Sequence, residues 1–399
     1  MPAEKLGGVL LLLLILLSLG PVSPSTLSVP SESVSDLAAT ALQLNQVAPG
    51  DEDWKVPLAA RPLLTTFKQQ LRELIGRELN GGAGAGSAEA IRARLANALA
   101  REGAPVVEAD WQADNPYGRV IGLEVRRPAG LDRWLAVMVK QQITCGEDAS
   151  LYFFEQREGG WRLAFDLESN GYEDVSGALG SFDFRVSPPD SQGQFFIVAV
   201  DVNPWCSSNW QRIRYRAFRP GGDPLHPQPF FQEEETTYIQ FGYELSVAAD
   251  RFRVSFSGYQ HLDTGILIRR FSRAYRITGT QVERIGPLAE EENGFIDEWI
   301  SLPWEIAGRW VVPSKRGSLR AWHGRLQEML QKHGMDVFTQ FRWWGDCGPS
   351  RFLSVLDFEW EHPLKPVPRE LFFTVQRDGN DFKMERIDMT EQEGCTASP

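Results

Sequence analysis

Residues 151–163 read LYFFEQREGGWRL, two apolar runs on either side of an acidic residue and two glycines. An acidic residue beside glycine is common hairpin-turn chemistry, so the stretch predicts an antiparallel β-hairpin. Residues 371–384, LFFTVQRDGNDFKM, repeat the order of a Leu-aromatic-Phe start, a Gln-Arg-acid-Gly turn and an apolar return. Two interpretations stay open: a diverged duplication, and the chance likeness of two hairpins that share turn chemistry.

Alternation with a period of two residues continues outward from this hairpin. Phe182, Phe184 and Val186 alternate with polar residues, and so do the apolar residues of 239–247 and 252–256. Such alternation between tight turns is typical of antiparallel sheet with one face on a core.

Three segments show instead the 3.6-residue period of an amphipathic helix. The first starts near Pro62, the second follows Ser87 as its N-cap, and the third begins at Ser318. Together the patterns predict an α+β protein, mainly antiparallel β, with helix-plus-sheet units flanking a β-rich centre. A β-propeller is the alternative, since repeated hairpins also build blades, but the three helices argue against a closed ring.

Composition and periodicity divide the chain into seven segments. They are a signal peptide (1–25), a flexible Ser/Pro/Ala-rich stalk (26–60), a helical pair plus antiparallel sheet (61–175), a β-rich central unit (176–293), an aromatic connector (294–317), a helix plus antiparallel sheet (318–390) and a C-terminal tail (391–399).

The N-terminus carries an export pattern. Lys5 precedes the apolar run VLLLLLILLSL at 9–19. A helix of this length rises about 16 Å, too short for a hydrocarbon core of about 30 Å, so a secretory signal peptide cleaved before Thr26 is the interpretation. The predicted location is therefore secreted or periplasmic. The alternative is an uncleaved N-terminal membrane anchor, which would be the chain's only contact with a membrane.

Export bears on the four cysteines, because an even number in an oxidising compartment indicates two disulfides. We expect Cys145 to pair with Cys206 and Cys347 with Cys395, since each cysteine is then joined to its neighbour along the sequence. Free buried thiols are the alternative. No two cysteines form a CxxC pair that would indicate a zinc ribbon or a thioredoxin-like site.

Charge and composition exclude several classes of protein. Of the 399 residues 42% are hydrophobic and 24% charged, which excludes general disorder and a multi-span membrane protein. The chain has 41 Lys plus Arg against 53 Asp plus Glu, a net charge of −12. A field of this sign repels phosphate backbones, so no nucleic-acid partner is expected.

A cluster of positive charge stands out against this acidic background. In QRIRYR, residues 211–216, Arg212, Arg214 and Arg216 share one face of a predicted strand; we refer to these three as the arginine strip. Guanidinium groups bind carboxylates and sulfates in a bidentate manner, which indicates an anionic glycan or another envelope protein as partner. The alternative is a solvated face paired across strands with acidic residues: Glu233, Glu234, Glu235 and Glu244.

Tryptophan adds a second candidate binding feature. Trp343 and Trp344 are adjacent on a predicted strand, so their rings are expected to point to opposite faces, one of them outside the core. An exposed ring can stack on a sugar or anchor a protein partner.

Catalytic signatures are sparse. The sequence has no GxSxG elbow, phosphate loop or GxGxxG, and no cofactor is expected. Paired carboxylates suffice for glycoside hydrolysis, and Asp166, Asp297 and Glu298 are the candidates. The aromatic surroundings of Asp297 and Glu298 would raise a carboxyl pKa by desolvation, as a general acid requires.

The same region holds a partial calcium pattern. Residues 166–174, DLESNGYED, place oxygens at alternate positions through Asp166, Glu168 and Asn170. Gly177 stands at the twelfth position, where a calcium loop has a bidentate glutamate, so no metal site is predicted and a hairpin turn explains the stretch.

Taken together, the sequence favours an exported envelope or extracellular protein with a non-catalytic binding role and an unknown ligand. The alternative is a secreted, carboxylate-dependent hydrolase acting on glycan. A purely structural periplasmic protein is the third hypothesis.

Overall fold

A computed structural model describes most of the chain beyond the predicted signal peptide. The described residues are 36–48, 50, 52, 54–112, 115–170, 172–204, 206, 208–238, 242–259, 268–333, 338–348, 350–358, 370–390 and 395–397. The predicted signal peptide, the start of the predicted stalk and most of the predicted C-terminal tail lie outside them. Trp343 and Trp344 are described by their backbone alone.

Six α-helices lie within the described residues. They are α1 (Asp36–Asn45), α2 (Ala60–Glu78), α3 (Ala88–Arg101), α4 (Glu292–Ser301), α5 (Trp304–Ala307) and α6 (Arg316–His333). In the part of the chain that the structure describes, no helix is both long enough and apolar enough to cross a membrane.

Seventeen strands among the described residues form four antiparallel sheets. The first sheet contains β1 (Val120–Arg126), β2 (Trp134–Ile143), β3 (Gly146–Arg157) and β4 (Gly160–Leu167). The second contains β5 (Asp183–Val186), β6 (Ile197–Val202), β7 (Trp210–Phe218) and β8 (Phe231–Tyr238). The third contains β9 (Tyr243–Val247), β10 (Arg251–Tyr259), β11 (Ile268–Thr278) and β12 (Gln281–Ile285). The fourth contains β13 (Phe338–Asp346), β14 (Arg351–Phe358), β15 (Glu370–Asp378), β16 (Asp381–Asp388) and β17 (Thr396–Ala397). Each sheet is a meander of neighbouring strands, with β17 added beside β13 in the fourth.

The protein is thus mostly antiparallel β with helices. The described strands form neither a closed barrel nor a propeller, so the alternative architecture finds no support in them.

Shared apolar cores join the first three sheets in sequence order. One face of the first sheet, with Leu135 and Tyr152, packs on α1–α3. Its opposite face, with Phe153, packs on the second sheet, whose other face packs on the third through Val198 and Val254. Each buried sheet face is formed by every second residue of its strands. For this reason apolar residues recur with a period of two in the sequence.

The helices follow the predicted signals closely, with one difference. The Ser87 hydroxyl accepts a hydrogen bond from the Ala90 amide at 3.2 Å and caps α3. Helix α1, however, lies within the segment that we predicted as a flexible stalk. Its residues Leu37 and Leu44 are buried against α2 and the first sheet, so this part of the segment belongs to the core.

In the C-terminal half, α4, α5 and α6 share a core with the fourth sheet. Trp299, Leu326 and Phe373 contribute to it from three different elements. The predicted aromatic connector is therefore built mainly of short helices, and the helix predicted from Ser318 begins two residues earlier, at Arg316.

The two similar sequence stretches both form hairpins, β3–β4 and β15–β16. In each case the hairpin supplies the last two strands of a four-stranded meander, and each has a glycine with positive φ in its turn, Gly159 and Gly379. This agreement of position within the sheet fits a duplication, although shared turn chemistry produces the hairpins equally well.

Two cysteine pairs lie at disulfide distance, Cys145 with Cys206 and Cys347 with Cys395. These are the pairs expected from their proximity in the sequence. The first joins the β2–β3 turn to the loop before β7, so it holds the first sheet to the second at the N-terminal end of β7.

Candidate anion-binding site

The arginine strip lies on β7, in the second sheet. Ile213 and Tyr215 are fully buried against the third sheet, and the three arginines project from the opposite face, as the alternation predicts. Their side chains retain 26%, 17% and 11% exposure from Arg212 to Arg216. The strip is therefore partly buried, with its open end at Arg212.

The three guanidinium groups converge on one carboxylate, Asp201 of β6, which has no exposed surface. Arg214 stands directly opposite Asp201 in the strand register and donates from Nη2 to Oδ2 at 3.0 Å. Arg216 donates from Nη2 to Oδ1 at 2.9 Å, and Arg212 approaches Oδ2 to 3.9 Å. Sequence reasoning missed Asp201, although a lone acid in the apolar strand IVAVDV is a signal of a buried ion pair.

Positive charge exceeds negative charge around this carboxylate. Nε of Arg212 and Nε of Arg216 are buried and have no hydrogen-bond partner among the described residues. Burial lowers the pKa of Arg216, and the neighbouring Arg214 and Arg212 lower it further, against the opposing effect of Asp201. The strip thus has donors and positive charge in excess of what Asp201 can satisfy.

The acidic residues that we considered as cross-strand partners of the strip are mostly engaged elsewhere. Glu233 accepts hydrogen bonds from the hydroxyls of Tyr215 and Tyr275, and Glu235 pairs with Arg273. Glu244, another of these acidic residues, pairs with Arg270. Glu234 is exposed and stands opposite Arg214 in the β7–β8 register, so it is the one acid of that set beside the strip.

Aromatic side chains adjoin the open end of the strip. The Trp210 ring contacts Tyr238 edge-on at a centroid distance of 5.0 Å and Tyr259 at 5.8 Å. Trp210 and Tyr259 border a cavity of about 700 Å³, which we name the aromatic cleft. Its described lining is Trp210, Gln211, Arg212, Glu234, Glu235, Thr236 and Tyr259. Aromatic rings beside a few polar groups are the usual lining of a small-ligand site.

A second cavity, of about 200 Å³, also borders Trp210. Trp210 and Gln211 line both cavities, and Trp54 and Cys206 belong to the second. The Arg212 guanidinium donates to the carbonyl oxygen of Ser176, another lining residue of that cavity. Arg212 and Trp210 therefore connect the two cavities at the end of the strip.

The other predicted binding residues are Trp343 and Trp344, on β13. Their side chains lie outside the described part of the structure, so the prediction that one ring is exposed stays a prediction. The backbone of β13 has an irregular register between Trp343 and Gly345.

The predicted carboxylate pair Asp297–Glu298 is buried in an ion-pair network. Arg269 donates from Nη2 to Asp297 at 2.6 Å and to Glu298 at 2.7 Å, and Arg273 also donates to Glu298. Burial opposes ionisation, but Arg273, Arg269 and Arg284 outweigh it and lower the pKa of Glu298 to about 2. The expectation of a raised pKa is therefore wrong for Glu298, because sequence reasoning did not anticipate arginines from β11.

Asp166 lies elsewhere, on β4 against α2. Arg72 of α2 donates to Asp166 and approaches Glu168 to 3.2 Å. Burial and the charge of Glu168 raise the pKa of Asp166 to about 7, despite the opposing charge of Arg72. Asp166 and Glu168 thus share an arginine, while Asn170 is exposed.

The described residues contain no group of three His, Cys, Asp or Glu side chains arranged to hold a metal ion. Comparison of the sequence with known protein families and with curated proteins finds no match in either. We therefore infer function from the geometry of the site.

Proposed function

We propose that this chain is an exported, non-catalytic binding protein that holds an anionic group of its ligand at the arginine strip. One observation carries the proposal: three guanidinium groups face a single buried carboxylate, Asp201, and two of their Nε donors have no partner among the described residues. Unsatisfied buried donors are costly, and an anion that accepts from them recovers that free energy.

The ligand group that fits is a carboxylate or sulfate. Planar guanidinium forks bind these groups in a bidentate manner, and the exposure of Arg212 leaves an approach from solvent. Such groups occur on anionic glycans and on the surface of another envelope protein, which are the two partners under consideration.

The proposal also includes export of the chain and an α+β architecture. The apolar run at 9–19 behind Lys5 and the two cysteine pairs support a signal peptide and an oxidising, secreted or periplasmic location. The packing of α1–α3 on the first sheet and of α4–α6 on the fourth supports an α+β protein with helix-plus-sheet units at both ends of a β-rich centre.

Glycan hydrolysis is the second candidate function, now restricted to Asp166. Its pKa of about 7 beside Glu168 is that of a general acid near neutral pH. Burial argues against catalysis, because Asp166 is only 4% exposed. The neighbouring Glu168 carboxylate accepts a hydrogen bond from the Tyr152 hydroxyl and pairs with Arg72. A reducing-sugar assay on polygalacturonate and peptidoglycan tests it; hydrolysis that Asp166→Asn abolishes would establish the enzyme and overturn the non-catalytic function.

Binding is tested by retention of the full chain on immobilised heparin, polygalacturonate and poly-L-glutamate, with neutral dextran as reference. We expect salt-sensitive retention on at least one polyanion, and an affinity about tenfold lower for Arg212→Gln, the loss of one charge-assisted contact. Arg212 is the most exposed of the three and the farthest from Asp201, so this variant keeps the ion pairs of Arg214 and Arg216.

Arg251→Gln is the matched control, because Arg251 is an exposed arginine on the third sheet that pairs with its neighbour Asp250. Retention on none of the polyanions would overturn the proposal. An equal loss in Arg212→Gln and Arg251→Gln would do the same, since the binding would then depend on general charge.

A further inference from the structure

The aromatic cleft and the arginine strip meet at one pair of residues, Trp210 and Arg212. Both project from the same face of β7, two residues apart, and both line the larger cavity. A ligand whose anionic group contacts Arg212 therefore has an aromatic surface beside it.

The cleft draws its walls from two sheets. Trp210 and Tyr238 are cross-strand partners in the second sheet, and Tyr259 ends β10 in the third. Tyrosine rings that contact Trp210 edge-on hold its indole in place, so its orientation is set before a ligand arrives. Preorganised aromatic surface costs little conformational entropy on binding.

Within the described residues, the strand edge beside the cleft is closed to an extended peptide. The end of β8 is covered by β10: the Thr237 hydroxyl donates to the Ser257 carbonyl at 2.8 Å. A side chain at Gly258 would place its Cβ 2.7 Å from the Thr236 carbonyl oxygen, which shows how closely the two strands approach. Recognition by β-strand addition is therefore blocked at the cleft.

The polar lining suits hydroxyl groups. Gln211, Thr236 and Glu234 offer amide, hydroxyl and carboxylate groups around the cavity. The charge of Glu235 is already compensated by Arg273, but that of exposed Glu234 would repel a second anion. A ligand with one negative group at Arg212 and hydroxyl groups toward Glu234 matches this arrangement.

We propose that the ligand is an acidic oligosaccharide, with one sugar ring stacked in the aromatic cleft at Trp210 and its carboxylate or sulfate bound at Arg212. This inference rests on the proposed function of the arginine strip and specifies its ligand. The chain of the glycan continues past Trp210 toward the second cavity, beside Trp54, because Trp210 and Gln211 line both cavities.

The test is titration calorimetry of the full chain with four six-unit probes. Hexagalacturonate carries carboxylates alone, and a heparin-derived hexasaccharide carries sulfates in addition to carboxylates. Maltohexaose is the neutral sugar, and hexaglutamate is the acidic peptide. We expect one acidic sugar to bind at least tenfold more tightly than hexaglutamate and maltohexaose. Trp210→Ala should weaken that binding about tenfold, consistent with the loss of aromatic stacking, and leave hexaglutamate affinity nearly unchanged.

Trp210→Phe keeps an aromatic ring and should retain most of the affinity, so it separates stacking from a general loss of fold. Equal affinity for hexaglutamate and the acidic sugars would overturn the glycan inference and leave the proposed anion site standing. Binding of acidic sugar that Trp210→Ala does not weaken would overturn the placement in the cleft. Failure of every anionic probe would overturn both the inference and the proposed function.

Discussion

Arg216 donates a hydrogen bond from Nη2 to Oδ1 of Asp201, 2.9 Å away on the neighbouring strand, in a place where the carboxylate has no exposed surface. Arg214 and Arg212 approach the other oxygen of the same carboxylate. Asp201 therefore organises the arginine strip: without it, three positive charges would stand within one short strand segment without the buried carboxylate that they share.

Asp201→Asn should lower stability and strengthen anion binding together. Removing the buried partner leaves the guanidinium groups uncompensated, and we expect the free energy of unfolding to fall by about 3 kcal/mol. The same excess charge should raise the affinity for polyanions severalfold at low salt. Urea unfolding and calorimetric titration measure the two effects. Glu244→Gln, at an exposed ion pair, should change stability by less than about 0.5 kcal/mol.

The two disulfides should differ in their effect on binding. Each closes a long loop, with sequence separations of 61 and 48 residues, so each alanine double variant should lose about 3 to 4 kcal/mol of stability. Cys206 lines the cavity beside Trp210, so Cys145→Ala with Cys206→Ala should also weaken ligand binding. Cys347→Ala with Cys395→Ala is the matched control; an equal loss of affinity there would contradict a local role for the first disulfide.

Asp166 should make the protein less stable as the pH rises. Burial and Glu168 raise its pKa in the folded state to about 7, from an ordinary value of 3.8, so the folded state binds this proton more tightly than the unfolded state. The associated stability is complete below pH 4 and is lost as the pH rises to about 7. Asp166→Asn imitates the protonated acid. Its free energy of unfolding should therefore exceed that of the parent by roughly 2 to 4 kcal/mol at pH 8 and be similar to it at pH 4.

The measurement is chemical unfolding of parent and variant across this pH range. Asp132→Asn makes the same substitution at an exposed position and should leave the pH profile unchanged. A difference between Asp166→Asn and the parent that is independent of pH would show that the effect comes from packing and not from the proton.

Glu298 should have the opposite effect on stability, making the protein less stable as the pH falls. Its folded-state pKa of about 2 lies below the ordinary 4.5, so its ionised form stabilises the fold above pH 4.5, and this contribution is lost as the pH falls toward 2. Glu298→Gln should lower the free energy of unfolding at pH 7 by a few kcal/mol, roughly 3, and have little effect near pH 2. Thermal unfolding checks this, with exposed Glu305→Gln as control; a variant as stable as the parent at pH 7 would refute the ion-pair network.

Local features of the sequence predicted the elements of this fold well. The period of two residues located β7 and the hairpin β3–β4, and Ser87 marked the start of α3. These predictions succeed because strand alternation and helix capping depend on neighbouring residues in the chain.

Features that depend on distant residues were missed. Helix α1 lies in a segment rich in small and polar residues, and only burial of Leu37 and Leu44 against α2 makes it part of the core. The pKa of Glu298 follows from arginines 25 and 29 residues away, which no spacing rule connects to it.

The sequence by itself determined which face of β7 is apolar and which carries the arginines, because side chains alternate along any extended strand. It also indicated that four cysteines in an export context would pair. Only the tertiary structure decided that the arginines meet Asp201 and end beside Trp210. The physical reason is that Asp201 comes from the neighbouring strand β6 and Tyr259 from another sheet. Which residues meet in this way depends on strand pairing and on the packing of whole sheets, and local periodicity encodes neither.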